Sequence, residues 1–332
     1  MSVAIEPSAG PTTGDQARRE RIAGVLQGYG AAIVLALLVI VASFSFPTFL
    51  TLSNISNIAT QSSFPLIVAI GMTFVILTGG IDLSVGSVFA LGGVLAAYGS
   101  SFGIIGGLAL PLLVCGAIGL AQGFLVAYGK MAPFIVTLAG LLAVRGLVLA
   151  VTNGGSTTPL IKDKALVALG QGGVFGIHWT VVIAVIGIVL GTVLLTRSRG
   201  GQAVLAVGGS ESASTFMGLP VARVKFGVYV LSGLCAGLAG ALNAAYSSSG
   251  VPTVGVGLEL SAISAVVIGG TLLVGGRGSL IGTLAGVLLL AVIQNMINQV
   301  GSLSSSVQSV VSGVFLAIVV IIQTVLSRTQ RL

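Results

Sequence analysis

Charged residues are scarce in this chain: its 332 residues include only 14 Lys and Arg and 7 Asp and Glu, or 6% of the sequence. Soluble domains average about 25% charged residues, because water must wet their surface. A hydrophobic content of 55% and a mean hydropathy of +1.14 indicate that most of the surface faces an apolar solvent. We therefore predict an all-α integral membrane protein, a polytopic bundle of about ten transmembrane helices.

Histidine and cysteine are nearly absent, with one His and two Cys in the whole chain. Cys115 and Cys235 lie in apolar stretches, so the sequence predicts neither a disulfide framework nor a metal site. His178 stands beside Trp179 at the start of an apolar run, which is typical of an interfacial anchor. The few basic residues are scattered, which argues against nucleic-acid binding. No GxxxxGK[ST], HExxH or GxSxG motif is present, so we expect no enzyme and no ATP site.

Apolar runs of about 20 residues, the length that crosses a membrane as a helix, divide most of the chain. We predict spans at about 25–46, 57–78, 84–101, 104–128, 133–152, 179–196, 223–246, 259–275, 279–299 and 307–326. A cleaved signal peptide is the alternative for the first run, but that run exceeds the usual core of about 7–15 residues. The spans form one transmembrane domain, residues 22–328, between a disordered cytoplasmic tail at 1–21 and a short cytoplasmic tail at 329–332.

The positions of the basic residues test this number of spans. If the N-terminus is cytoplasmic, ten crossings leave only Lys162 and Lys164 outside, and Arg145 falls within a span. Eleven basic residues then lie on the cytoplasmic side: Arg18, Arg19, Arg21, Lys130, Arg197, Arg199, Arg223, Lys225, Arg277, Arg328 and Arg331. This distribution obeys the positive-inside rule, so we expect both termini in the cytoplasm.

The predicted cytoplasmic loop 197–225 contains the pattern of a short helix. A serine suits its N-cap, a glutamate follows at the positive helix end, and a glycine with proline two residues on closes it. A Phe-Met pair before the glycine adds an apolar surface, which a solvated connector, the alternative interpretation, would not need. We therefore predict a coupling helix that docks on a cytoplasmic motor protein through Ser210, Glu211, Phe216, Met217 and Gly218.

Three ionisable residues fall within or beside predicted spans. Asp82 lies at a glycine-rich cytoplasmic bend, where a carboxylate can cap or lock the next helix. Arg145 needs a carboxylate or backbone carbonyls, and we interpret it as a structural tie. Glu259 is expected at the outer start of a span, where capping is sufficient. Ion-coupled carriers keep ionisable groups in the bilayer to bind protons or sodium, so their scarcity argues against such a carrier.

Amide side chains also occur within or next to the spans. Hydroxyl-rich substrates need such donors and acceptors, although interhelical hydrogen bonds explain amides equally well. Gln294 and Asn298 are four residues apart and share one helix face. The possible pathway residues that we select are Gln61, Phe64, Asn243, Gln294 and Asn298.

The segment 71–87, GMTFVILTGGIDLSVGS, resembles the hallmark of the permease subunits of bacterial carbohydrate ABC importers of the ribose, xylose, arabinose and galactofuranose type. Residues 133–146, 206–218 and 259–279 resemble further blocks of that family, and the likeness covers roughly residues 50–326. The motif residues carried by this resemblance are Gly79, Gly80, Asp82, Ser84, Gly86 and Arg145. Many relatives have Asn at position 210 and Asp at position 261, where this chain has serine. The second difference removes a carboxylate.

The resemblance implies an ATP-driven importer that moves a monosaccharide across the bacterial inner membrane by alternating access. The substrate would be a pentose, a hexose or a galactofuranose-like sugar. The implied partners are a cytoplasmic ABC ATPase that uses ATP and Mg, an extracytoplasmic (periplasmic) sugar-binding protein, membrane lipid, and a second permease copy or a sister permease. The chain itself would bind no cofactor. An ion-coupled secondary carrier or a channel for a small polar solute is the alternative, and a non-transporting scaffold is a third.

Overall fold

The computed structural model describes residues 30–300 together with Val310, Gly313 and Val314. The predicted tails at 1–21 and 329–332, the start of the first predicted span, and all but three residues of the predicted span 307–326 lie outside the described residues. Within the described part, the only paired strands are β1 (Gly173–Val174) and β2 (Ile177–His178), which form one small antiparallel hairpin. Everything else that is regular is helical.

The described helices follow one another along the chain as α1 Gly30–Ser45, α2 Leu52–Leu77, α3 Val85–Gly99, α4 Gly103–Ala127, α5 Pro133–Val151, α6 Lys164–Gln171, α7 Trp179–Arg197, α8 Arg199–Gly209, α9 Glu211–Phe216, α10 Val221–Ser247, α11 Leu258–Ile268 and α12 Leu280–Val300. Within the described residues, six stretches are long and apolar enough to cross a membrane: Leu52–Leu77, Val85–Ala127, Pro133–Val151, Trp179–Arg197, Val221–Ser247 and Leu280–Val300. Helices satisfy all their backbone groups internally, as lipid requires. The prediction of an all-α, multi-pass membrane protein is confirmed.

The stretch Val85–Ala127 folds back on itself as α3 and α4. A 3₁₀ turn at Ser100–Phe102 separates the two helices, and Gly103 reverses the chain with φ of 76°. Gly99 and Gly106 then approach so closely that a side chain on either would overlap the other's backbone. Small residues at such crossings let helices in lipid pack backbone to backbone.

Helix α10 lies at the centre of the bundle, in contact with α2, α3 and α4. Its glycines allow this crowding, because a Cβ at Gly233 would lie 2.5 Å from the Cys115 carbonyl oxygen of α4. On the α3 side, Gly92 lies against Gly237 in the same way, because a Cβ at Gly92 would lie 2.6 Å from the Gly237 carbonyl oxygen. The largest fully buried side chains, Tyr229 and Phe74, come from α10 and α2.

The two ends of the bundle carry different short elements. At the end we call the α6 end, the hairpin is joined to the start of α2 by a 3.0 Å hydrogen bond between Thr60 Oγ1 and His178 Nδ1. At the opposite end, the α9 end, the backbone N–H of Gly276 donates to the Leu77 carbonyl at 2.9 Å, where α2 finishes. The charge pattern predicts that the α6 end faces outward and the α9 end faces the cytoplasm.

The prediction of a continuous span at 259–275 is wrong. Helix α11 has 11 residues, which at about 1.5 Å per residue is far shorter than the ~30 Å of a bilayer core. After Ile268 the chain turns through Gly270, at φ of 92°, and then through Gly275 and Gly276 at φ of 88° and 77°. Glycine adopts this left-handed region without steric cost. The helix can therefore end at Ile268 even though the sequence beyond it stays apolar.

Helices α3 and α11 both begin inside the bundle. Gly86, in the first turn of α3, lies directly against the carboxylate of Glu259 and the carbonyl of Gly255. From there α3 runs to the α6 end, where the N–H of Lys162 donates to Ser100 Oγ at 2.9 Å. The predicted depths of the Asp82 bend and of Glu259, on opposite faces of the membrane, are therefore wrong. Both segments re-enter the bundle, from opposite ends, and meet within it.

Candidate functional site

A cavity of about 880 Å³ opens between α2, α10, α11 and α12. All five predicted pathway residues line it: Gln61, Phe64, Asn243, Gln294 and Asn298. Sequence reasoning missed several other polar or aromatic residues of the wall, namely Asn54, Asn57, Ser62, Phe89, Ser261 and Asn295. Binding sites for small polar molecules combine apolar and aromatic walls with a few polar groups, and this cavity has that composition.

The α2 wall presents a row of amides. Asn54, Asn57 and Gln61 are three and four residues apart, so they share one face of the helix. The Asn57 and Gln61 side chains are exposed, and the Asn243 side chain on α10 is half-buried. None of these last three forms a side-chain hydrogen bond with another described residue. Each amide offers one acceptor oxygen and two N–H donors, so the wall can both donate to and accept from a ligand.

Aromatic rings complete the apolar part of the wall. Phe64 is buried, and its ring centroid lies 5.8 Å from that of Tyr246 in a tilted arrangement. Phe89 of α3 is also buried and lines the cavity from another side. Such rings supply flat apolar surface beside the amide row.

The cavity wall carries no charged side chain among the described residues. A charged group taken out of water without an opposite charge costs several kcal/mol, so the cavity is poorly suited to ions and zwitterions. Its carboxamides and serine hydroxyls instead match a neutral molecule that has many hydroxyl groups.

At the α6 end, a chain of side-chain hydrogen bonds joins α2 to α12. Asn54 and Asn295 exchange two hydrogen bonds, of 3.2 Å and 2.8 Å, between their amide nitrogens and oxygens. Gln299 Nε2 donates to the same Asn295 oxygen at 2.7 Å and its own oxygen accepts from Thr48 Oγ1 at 2.8 Å. Here the interhelical explanation of amides applies, whereas Asn57, Gln61 and Asn243 face the cavity.

Asp82 does not line this cavity; it is buried, with 1% of its surface exposed. Its Oδ1 accepts from the backbone N–H of Ser84 at 2.9 Å and from the Ser84 hydroxyl at 2.7 Å. Its Oδ2 accepts from the Ser232 hydroxyl at 2.7 Å. Three neutral donors thus surround the carboxylate and fix the segment before α3 to the middle of α10. The residue locks this segment, and Ser84 itself makes no side-chain cap to α3.

Gln122 of α4 completes this buried group. Its Oε1 lies 3.2 Å from Ser84 Oγ, while its Nε2 is buried and has no partner among the described residues. The single Ser84 hydroxyl proton is used by Asp82. With the Gln122 amide turned about, its nitrogen donates to Ser84 Oγ instead.

The motif glycines let the chain turn back from α2 toward Asp82. Gly79 adopts φ of 75°, which favours glycine over other residues. Gly80 lies against the hydroxyl of Tyr229, which donates to the Ile81 carbonyl at 3.3 Å.

Arg145 holds the segment that enters α11. Its Nη1 donates to the carbonyls of Pro252 and Val254, at 3.0 Å and 3.1 Å. Val254 lines the cavity, so Arg145 shapes a cavity wall without lining it. Glu259 accepts from the N–H of Gly257 at 3.2 Å, in the first turn of α11, where a carboxylate is favoured.

The predicted short helix of the loop 197–225 is present as α9. Ser210 caps it by accepting from the N–H of Ala213 at 3.2 Å, and Gly218 ends it with φ of 75°. Phe216 is 92% exposed and Met217 is 68% exposed, so the apolar pair has no cover within the described chain.

Sequence reasoning missed α8, the helix directly before α9. Gly208 of α8 packs against the Leu77 carbonyl and the N–H of Gly276, so α8 is seated on the end of α2. Glu211, the first residue of α9, accepts a 2.6 Å ion-paired hydrogen bond from Lys225 of α10. The α9 surface is therefore connected to α2 through α8 and to α10 through Lys225.

Comparison with known proteins adds independent information. The family described as branched-chain amino acid transport system, permease component, matches residues 54–322. The chain is 41% identical to the ribose import permease protein RbsC of Bacillus subtilis (strain 168) over 307 residues, 92% of this chain and 95% of that protein. It is 40% identical to RbsC of Escherichia coli (strain K12), over 87% of this chain and 91% of that protein. It is 36% identical to the L-arabinose ABC transporter permease protein AraH of Azospirillum brasilense, over 89% and 88% of the two chains. No solved structure matches.

Proposed function

The chain belongs to the family of transport-system permease components just described, and on that premise we propose that it is the membrane permease of an ATP-driven ABC importer for a neutral monosaccharide. The names of its relatives favour a sugar, since they include ribose and L-arabinose permeases. The observation that carries the proposal is the cavity, which combines aromatic rings with carboxamides, of which Asn57, Gln61 and Asn243 have no partner among the described residues, and has no charged side chain in its described wall.

The family description mentions branched-chain amino acids, and the cavity argues against them here. A free amino acid carries a carboxylate and an ammonium group, each of which would need an opposite charge or several oriented dipoles once desolvated. A pentose, a hexose or a galactofuranose-like sugar needs only donors and acceptors for its hydroxyls, and Asn57, Gln61 and Asn243 offer both.

The chain's own part is to open the cavity alternately to the two sides. The proposed partners are a cytoplasmic ABC ATPase, an extracytoplasmic sugar-binding protein that delivers the sugar at the α6 end, and a second permease, identical or sister. The partner ATPase would use ATP and Mg, and this chain would bind neither. Movement of the ATPase against Phe216 and Met217 would pass through α9 and α8 to the end of α2, because Gly208 is seated there.

Reconstitution tests this proposal. The chain is placed in liposomes alone, and also together with the proposed ATPase and sugar-binding protein, and uptake of labelled ribose, arabinose, xylose, galactose and leucine is measured. We expect ATP-dependent uptake of one or more sugars by the full complex and no uptake of leucine. Uptake by the chain alone, abolished by Asp82→Asn, would instead establish the ion-coupled carrier. Leucine uptake by the complex would contradict the sugar assignment.

A further inference from the structure

A second concave surface, separate from the cavity, lies between α7 and α10. Both helices pack on α2 and leave between them a groove of about 560 Å³, which we call the α7–α10 groove. Its floor is formed by the buried side chains of Ile67, Ile70 and Phe74 of α2. Its walls are apolar side chains of α7 and α10, many of them exposed or half-buried, so the groove is open along the outside of the bundle.

The groove is polar at one end only. Apart from the Cys235 thiol, every residue that lines it is apolar until the C-terminal end of α7, where Arg197 and Ser198 are reached. Arg197 is exposed, and its side chain forms no hydrogen bond or ion pair with another described residue. The Ser198 hydroxyl is already engaged, since it donates to the Leu194 carbonyl at 2.6 Å and accepts from the N–H of Gly201 at 2.9 Å. The free polar group at this end is therefore a single positive charge.

The length of the groove corresponds to one leaflet of a bilayer. Ile183 and Leu194 mark its apolar extent on α7, and these 11 helical steps of about 1.5 Å amount to roughly 16 Å. The hydrocarbon core of a bilayer is ~30 Å thick, so one leaflet supplies about 15 Å. Arg197 follows one turn later and so stands at the depth of the lipid headgroups.

From this arrangement we propose that the α7–α10 groove binds one acyl chain of an anionic phospholipid whose phosphate pairs with the Arg197 guanidinium. Arginine binds phosphate through a planar fork of N–H donors, and such charge-assisted bonds are about twice as strong as neutral ones. The acyl chain would contact protein on three sides in this groove, whereas lipid on the convex faces of the bundle contacts protein on one side only. The groove should therefore hold its lipid more tightly than the rest of the bundle surface does.

Photolabelling of the unaltered protein tests the site. The chain is placed in nanodiscs that contain phosphatidylglycerol with a diazirine in one acyl chain, irradiated, digested and analysed by peptide mass spectrometry. We expect labelling concentrated on the groove walls of α7 and on the α10 segment Leu231–Leu238. The comparison surface is α5, where Ile135 and Leu142 are also apolar and exposed but do not line this groove. Even labelling of α5 and the groove would overturn the proposal.

Matched variants test the charge and the shape separately. After partial removal of lipid, native mass spectrometry counts the phosphatidylglycerol and phosphatidylcholine molecules that each variant retains. Arg197→Gln should lower retention of phosphatidylglycerol by about tenfold and abolish its preference over phosphatidylcholine. Arg223→Gln, an exposed arginine at the same end but outside the groove, should change neither.

Gly187→Leu should reduce retention of both lipids while Arg197 remains, because Gly187 lines the groove and a Cβ there meets only the Ile70 side chain of the groove floor, at 3.1 Å. Equal retention by all variants would contradict the proposal. So would cross-linking of two copies of the chain through Cys235 together with protection of the groove from the lipid probe, since a second copy would then cover it.

Discussion

The Ser232 hydroxyl donates a 2.7 Å hydrogen bond to Oδ2 of Asp82, which lies 150 residues earlier in the chain. This contact joins the middle of the central helix α10 to the segment that re-enters the bundle between α2 and α3. With the two bonds from Ser84, it surrounds a buried carboxylate with neutral donors. The contact thereby fixes where α3 begins, and with it the position of Phe89 in the cavity wall.

Removal of the Ser232 hydroxyl should therefore destabilise the fold. A buried polar group that loses its hydrogen-bond partner costs about 1–3 kcal/mol. We expect Ser232→Ala to lower the free energy of unfolding by about 1–3 kcal/mol, measured by denaturant unfolding in detergent. Ser247→Ala, at the exposed end of the same helix, should change it by less than ~0.5 kcal/mol. Equal effects of the two variants would show that the Asp82 contact does not stabilise the fold.

Much of the fold follows from hydropathy, because lipid leaves helices as the only economical structure for long apolar runs. The predicted span 133–152 agrees with α5, and the capped helix α9 was predicted with both its ends. The early end of α11 could not be predicted in this way. The run 259–275 stays apolar beyond Ile268, and the glycines that turn the chain there are not distinctive in a sequence with 50 of them.

The candidate site was predictable in part. Five of its residues were selected, four of them because amides suit a substrate rich in hydroxyl groups, but Asn57 and Ser261 were missed. Spacing alone places Asn54 and Asn57 on one helix face and does not say which of the two side chains is left free to bind a ligand in the cavity. Asn54 pairs with Asn295 of α12, whereas Asn57 has no partner among the described residues. That difference depends on the position of the neighbouring helix, which one sequence does not contain.

The cavity amides should determine sugar affinity. Each lost hydrogen bond contributes about 0.5–1.5 kcal/mol, which corresponds to a roughly two- to tenfold loss in affinity. In the reconstituted importer we expect Gln61→Ala and Asn243→Ala each to raise the sugar concentration for half-maximal uptake by that factor, with ATP hydrolysis retained. Gln202→Ala, an amide variant on α8 outside the cavity, serves as the control. Unchanged uptake in both cavity variants would remove these amides from the pathway.

The exposed apolar pair of α9 should couple transport to the ATPase. A carboxylate at either position replaces an apolar contact with a charge that the interface would have to desolvate. We expect Phe216→Asp and Met217→Asp to abolish the stimulation of ATP hydrolysis by sugar-loaded binding protein. Val274→Asp, an exposed apolar residue at the same end but not on α9, should retain it. Full stimulation in the α9 variants would contradict docking there.

Arg145 should control the order of the segment 248–257. Its one nitrogen satisfies two carbonyls, so Arg145→Met leaves both without a donor inside the bundle. Hydrogen exchange of peptides from this segment should become faster and sugar uptake should fall. Arg145→Lys should restore part of both, because an ammonium group reaches one carbonyl but lacks the arginine geometry. If exchange is unchanged in Arg145→Met, the segment is held by other contacts.

Gly208 and Gly209 provide the sharpest comparison for the route from α9 to the cavity. Both glycines lie at the end of α8, so alanine gains similar helix propensity at each, up to about 1 kcal/mol. A Cβ at Gly208 would overlap the Leu77 carbonyl at the end of α2, whereas a Cβ at Gly209 would meet nothing within 4 Å. Gly209→Ala should therefore leave the stability of the fold equal or slightly raised.

Gly208→Ala should displace α8 from α2, and ATP hydrolysis should then proceed with little sugar uptake although α9 still docks. Measurement of uptake and hydrolysis in the same vesicles separates these outcomes. If the two variants behave alike, the motion of α9 reaches the cavity by another contact, of which the Glu211–Lys225 pair to α10 is the next to test.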